Sequence, residues 1–158
     1  MYSKQRAERE VVQALKKAIG KSFIVTPDML EIPPEDGMGD LAFPCFEFAK
    51  GEERNPVEIA TEIAAKIGAG EFIEKIQSLG PYVNFFFAPE AYGKSILDEI
   101  VEKGEEYGKS TTGEGVKVIV DYAQPNTHKK FHVGHLRNAV YGQSVVNVLR
   151  EANYSVVP

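Results

Sequence analysis

Apolar side chains at Val11, Val12, Leu15, Ala18 and Ile19 fall on one helical stripe, with Lys and Glu on the remaining face and Gly20 where the helix should stop. Two β-rich runs follow, over 29–32 and 41–48, separated by Pro33-Pro34-Glu35-Asp36-Gly37-Met38-Gly39-Asp40, whose prolines and glycines forbid regular structure. Asn55-Pro56 then supplies a helix cap and a proline at the first helical position, and Ile59, Ala60, Ile63, Ala64 and Ile67 form the apolar stripe behind it. Runs 71–78 and 82–88 read as strands joined through Leu79-Gly80-Pro81. The order helix, two strands, helix, two strands predicts a two-layer α+β domain over residues 1–88, with helices covering one face of an antiparallel sheet. A third helix is predicted over 89–103, with Tyr92, Ile96, Leu97, Ile100 and Val101 facing inward and Gly104 ending it.

Glycine and polar residues from 104 to 115 mark a crossing, so 89–115 reads as a connector helix and linker. Residues 116–122 are almost continuously apolar, as expected of a strand covered on both faces in a parallel sheet. A polar loop and a helical stretch over 136–152 complete a strand, loop and helix, the opening of a doubly wound, Rossmann-like α/β fold spanning 116–158. One strand and one helix cannot bury their own apolar faces, so this second unit reads as truncated.

The chain has 158 residues, 43% hydrophobic and 26% charged, the balance of a soluble globular protein rather than a disordered or fibrous one. Its net charge of −5 advertises no nucleic-acid or membrane partner, yet the distribution is uneven. Residues 1–21 carry six basic and two acidic side chains, 22–120 carry eight and nineteen, and 121–158 carry four and two. The single Cys45, set among aromatic residues, excludes an intramolecular disulfide and reads as a packed small hydrophobe in a reducing compartment. The first residues lack a signal-peptide core, and no apolar run approaches the roughly 20 residues that span a bilayer, so the expectation is a cytoplasmic protein.

All three histidines, His128, His132 and His135, lie within eight residues, beside Lys129, Lys130 and Arg137. A cationic turn at a helix N-terminus favours an anion, because free backbone N–H groups and the helix dipole add to the side-chain charge. Phosphate is the natural guest, and Gly134 removes a side chain where a flat base or phosphate must approach closely. A metal reading of His132 and His135 is disfavoured by the neighbouring lysines and the lack of a nearby acidic ligand. Packed or surface histidines are the other alternative.

Pro125-Asn126, Lys129-Lys130-Phe131, His132-Val133-Gly134-His135 and Leu136-Arg137 together resemble the HIGH signature region of class I aminoacyl-tRNA synthetases, in the form found in arginyl-tRNA synthetases. Gly39-Asp40-Leu41-Ala42-Phe43-Pro44-Cys45-Phe46, Asn55-Pro56 with Ile59-Ala60, and Gly80-Pro81-Tyr82-Val83-Asn84-Phe85-Phe86 resemble the additional domain that precedes the catalytic domain in that family. The likeness covers essentially the whole chain and implies an N-terminal fragment, inactive alone. It implies ATP, accompanied by Mg2+, L-arginine and tRNA(Arg) as substrates and partners, with no structural metal and no membrane.

By the same resemblance, His132 and His135 would bond the triphosphate, Gly134 would let adenine lie against the backbone, and Lys129 would follow the phosphates. Asn126 would meet the α-amino end of arginine, alongside Asp121, which stands where the family usually has glutamate, and Gln124, which replaces a common serine. Tyr82 and Asn84 match positions that recognise a base of the tRNA D-loop, an exposed ring stacking on an unpaired base while an amide reads its edge. Two other readings remain: a non-catalytic RNA-binding module built on the additional domain, and another HIGH-bearing nucleotidyltransferase.

Overall fold

The computed structural model describes residues 2–20, 23–35 and 37–158, and the chain divides into two compact units, Met1–Glu102 and Lys103–Pro158. In the first, α1 (Ser3–Ile19) buries Ala7, Val11, Val12 and Leu15, the stripe its sequence predicts shifted one turn towards the N-terminus. Asn55 caps α3 (Pro56–Lys66) by accepting from the Val57 N–H at 2.9 Å, and Ile59, Ala60 and Ile63 go inside.

The sheet has three strands, ordered β1 (Leu41–Pro44), β3 (Tyr82–Phe87), β2 (Ile73–Leu79), antiparallel throughout. This corrects the expected helix, two strands, helix, two strands layout. Residues 29–32 form no strand: Pro27–Met29 is a 3-10 turn, and Glu31 makes a single bridge to Ala42. A proline pair at Pro33-Pro34 removes the N–H donors that a longer ladder would need. The second run ends at Pro44, after which α2 (Phe46–Gly51) buries Ala49 and leaves Phe46 49% exposed. The irregular loop expected after Ile32 is present, Asp36 lying outside the described residues.

Strand alternation divides β3 between two faces. Val83 and Phe85 enter the core with Phe43, Leu15 and Ile59, each side chain worth about 1.5–3 kcal/mol of burial. Tyr82, Asn84 and Phe86 point the other way. A fourth helix, α4 (Pro89–Lys103), occupies the predicted span. Its inward side is Tyr92, edge-on to Phe72 at 5.9 Å, and Glu99, which accepts from the Ser3 N–H at 2.8 Å and hydroxyl at 2.9 Å. A carboxylate at the start of α1 complements that helix's dipole. Of the residues expected inward, Tyr92 and Ile96 are half-buried, and Leu97, Ile100 and Val101 are exposed.

In the second unit, β4 (Lys117–Ile119) pairs in parallel with β5 (Ser155–Val157), and α5 (Val133–Glu151) is the crossover between them. The strand is shorter than the expected 116–122, and Ile119 is 75% exposed. The helix begins earlier than expected, at Val133, so the paired histidines occupy its cap and first turn. Gly142 of α5 lies against the ring of Tyr122, which occupies the space a Cβ would need. Among the described residues no helix is long and apolar enough to cross a membrane.

Burial pushes the Cys45 thiol up from 9.0 to about 12. The folded chain therefore holds that proton more tightly than the unfolded chain; this stabilisation is complete below about pH 9 and is lost as the pH rises through 12. Iodoacetamide at pH 8.5 is expected to label Cys45 only in denaturant, and rapid labelling of the native chain would contradict its burial. Gly142→Ala is expected to cost ~1–3 kcal/mol through overpacking, read as faster hydrogen exchange along α5; unchanged protection would show that Tyr122 yields freely.

Candidate functional site

The second unit brings the histidines together through helix capping. His132 has extended backbone at the N-cap of α5, and its Nδ1 accepts from the Gly134 N–H at 3.1 Å. Reciprocally, the His132 N–H donates to Nδ1 of His135 at 3.3 Å, closing a capping box built of two imidazoles. The rings stack with centroids 4.0 Å apart and planes 22° apart, and Phe131 lies 5.3 Å from His135. With each Nδ1 engaged as an acceptor, the proton of a neutral ring resides on Nε2. Two Nε2–H donors therefore stand side by side at a helix N-terminus.

Gly134 has a defined steric role. A Cβ there would sit 2.9 Å from Cε1 of His132, so the absent side chain leaves room for this imidazole to reach the backbone N–H. Lys129 is exposed in the turn before the helix, its N–H donating to the Asn126 carbonyl at 3.1 Å, and Asn126 Oδ1 accepts from the His128 N–H at 2.9 Å. Gln124 donates through Nε2 to Asp121 Oδ2. Asp121 lines a cavity of about 460 Å3 at the end of β4 with Tyr122 and Pro158; the histidines, Lys129, Gln124 and Asn126 are not among its lining residues. Tyr122 is fixed by its hydroxyl donating to Gln143 at 2.7 Å, a partner that sequence reading did not single out. Among the described residues no group of three or more His, Cys, Asp or Glu is placed to hold a metal ion.

In the first unit, Tyr82 and Asn84 line one cavity of about 440 Å3, walled by Ile32, Pro33, Pro34, Met38 and Leu79, a volume within the range of ligand pockets. Tyr82 also borders a second cavity of about 300 Å3, with Asp28, Glu31 and Glu47 on its rim. Phe46 meets the Tyr82 ring edge-on, centroids 5.6 Å apart and planes at 87°, and holds it upright. Asn84 is only 3% exposed. Its Nδ2 donates to the Met38 carbonyl at 2.5 Å, while Oδ1 is buried and has no hydrogen-bond partner among the described residues. An acceptor left so costs about 1–3 kcal/mol. Phe46 and Met38 were missed from sequence, although the Pro33-Pro34 loop that shares a cavity wall with Met38 marks irregular backbone there.

Residues 5–87 match the family model for the arginyl tRNA synthetase N terminal domain, and residues 96–158 match that for the class I (R) tRNA synthetase catalytic domain. Among similar proteins, an arginine–tRNA ligase of Alkaliphilus metalliredigens is 42% identical over 130 residues, covering 82% of this chain and 23% of its own length. Another, from Clostridium perfringens, is 40% identical over 156 residues, 99% of this chain and 26% of the relative. The chain thus spans about a quarter of the length of these relatives. The solved arginyl-tRNA synthetase of Thermus thermophilus superposes with a TM-score of 0.56 at 29% identity, over 97% of this chain and 24% of that one. That of Plasmodium falciparum shares the fold, with a TM-score of 0.60 at 18% identity over 95% and 29% of the two chains. The mixed α/β architecture agrees with these likenesses: the chain belongs to the arginyl-tRNA synthetase family.

Proposed function

We propose that this chain is the N-terminal part of a cytoplasmic arginine–tRNA ligase, with residues 1–88 as the tRNA-contacting domain, 89–115 as connector and 116–158 as the opening of a Rossmann-like catalytic domain. The observation that carries this reading is the imidazole capping box. Its two Nε2–H donors suit a triphosphate whose charge moves towards pyrophosphate as the arginine carboxylate attacks the α-phosphorus and the bond to the leaving group breaks. The product of that step is arginyl-adenylate, from which a terminal ribose hydroxyl of tRNA(Arg) takes the arginyl group and releases AMP. Mg2+ accompanies the ATP and offsets phosphate charge.

In this reading Lys129, exposed before the cap, follows the phosphates, and Gly134 sets how closely the nucleotide approaches the elbow. Asp121, Gln124 and Asn126 lie on the segment leading from β4 towards α5, the place where open α/β folds bind ligands. Asp121 supplies negative charge for arginine, Gln124 orients it, and Asn126 meets the α-amino end. Tyr82 and Asn84 hold an unpaired D-loop base, the ring by stacking and the amide by its edge. The carboxylates of Asp28 and Glu47 line the second cavity beside Tyr82 and disfavour the phosphate backbone there, while Glu31 borders both cavities.

Substitution in the full-length synthetase separates chemistry from capping. His132→Asn retains a good N-cap and is expected to leave the melting temperature nearly unchanged, while tRNA-dependent ATP–pyrophosphate exchange with arginine falls by ~10²–10³-fold. His135→Ala should lower exchange similarly; full exchange in both variants would reduce the histidines to capping groups. Tyr82→Ala and Asn84→Ala are expected to raise the KM for tRNA about tenfold or more. Unchanged KM in both would remove the D-loop assignment, and tRNA binding without any exchange by the intact protein would favour a binding module.

A further inference from the structure

Tyr122, Gln143 and Asn147 have no part in the chemistry described above, yet they form one run of contacts in the second unit. The ring of Tyr122 lies in a notch on α5: a Cβ at Gly142 would sit 2.0 Å from its Cγ, so the ring reaches the helix backbone only where the side chain is absent. Its hydroxyl donates to Gln143 Oε1 at 2.7 Å, and Gln143 Nε2 donates to Asn147 Oδ1 at 2.9 Å. With both ends of its amide engaged, Gln143 has one orientation, and the phenol is held in register along the helix as well as against it.

The neighbours of Tyr122 decide what this contact fixes. Val120 extends the strand pairing, its N–H donating to the Val157 carbonyl at 2.9 Å, and Asp121 is the next residue. Gln124 and Asn126 follow, before regular structure resumes with α5 at Val133. Among the described residues, the Tyr122 hydroxyl makes the one hydrogen bond that ties this segment to α5 outside the histidine cap. Asp121 stands one residue before the anchored ring. The cap stands ten residues, about 15 Å, back along the helix to which the ring is anchored.

We propose that Tyr122 is a positioning residue for adenylate formation: seated in the Gly142 notch and bonded to Gln143, it fixes where the arginine-binding segment stands relative to the histidine cap. This rests on the ligase reading above and adds the contact that sets the separation of its two small substrates. In-line attack needs the arginine carboxylate held about 3–3.5 Å from the α-phosphorus, and a misplacement of about 1 Å can cost ~10²-fold in rate. A loosened anchor lets both substrates bind but brings them into line less often, so kcat falls while the KM for ATP holds. Gln143 does not line the cavity that Asp121 and Tyr122 share, so its effect on rate passes through Tyr122.

The test is tRNA-dependent ATP–pyrophosphate exchange by the full-length synthetase, with kcat and both KM values measured for Tyr122→Phe, Gln143→Leu and the double variant. Tyr122→Phe keeps the ring in its notch and Gln143→Leu keeps most of the side-chain volume, so melting temperatures should move little. Each single variant is expected to lower kcat about tenfold with the KM for ATP unchanged, and the double variant to be no slower than either, because all three lack the same bond. Gln143→Glu, whose carboxylate still accepts from the phenol, should restore the rate; a bond serving stability alone would not couple the two residues in kcat. Unchanged kcat in both single variants, or losses that multiply in the double variant, overturn the proposal. So does a loss confined to Tyr122→Phe, since the phenol would then act on substrate directly. Should Tyr122→Phe fail to fold, Gln143→Leu against Gln143→Glu decides: equal rates in the two contradict the anchor. Absence of exchange in the unsubstituted protein removes the ligase reading itself; full exchange there with unaltered variants removes only the anchor.

Discussion

A β-strand can offer only alternate side chains to either face, and β3 uses that constraint to join stability to recognition. Val83 and Phe85 are fully buried against the helices, whereas Tyr82 and Asn84 turn to the opposite face of the same strand and line a cavity there, Asn84 almost wholly covered. The core therefore fixes the height and orientation of the cavity-lining pair. As the central strand, β3 is held by β1 on one side and β2 on the other, so neither outward residue can slip without moving two ladders.

The second unit solves a similar problem with a helix end. Backbone groups at the start of α5 need partners, and two imidazoles supply them through Nδ1. What is left facing outward is a matched pair of donors at the positive end of a helix. Capping and anion binding are thus complementary uses of opposite edges of the same rings. Glycine serves this arrangement sterically, at Gly134 by admitting the His132 ring and at Gly142 by admitting Tyr122.

Sequence revealed these elements wherever local chemistry and burial agreed. Asn55-Pro56 marked the start of α3 because cap and first-turn proline act within a few residues, and the aromatic run of β3 stood out between turn residues. The span 46–48 misled because an aromatic-rich run suits a strand as well as a short helix, and the preceding Pro44 ended the ladder. On α4, apolar patterning did not reveal the polar clasp of Glu99 with Ser3 and Ser95, whose partners lie more than 90 residues apart in the chain. The histidines were legible as a cluster, and their capping role was not, because it depends on which ring nitrogen meets which N–H. Asn84 was legible through family likeness alone; its unmet oxygen and the Met38 carbonyl are properties of a loop brought back over the sheet.

Isotope-labelled chain titrated with a tRNA(Arg) transcript provides the most direct measurement of whether the outward face of β3 meets RNA. The expected result is that resonances of Tyr82, Asn84 and the wall formed by Ile32, Pro33 and Met38 shift together, while those of Val83, Phe85 and the buried stripe of α1 stay in place. Shifts confined to the helical side of the sheet, with the cavity silent, would contradict the account.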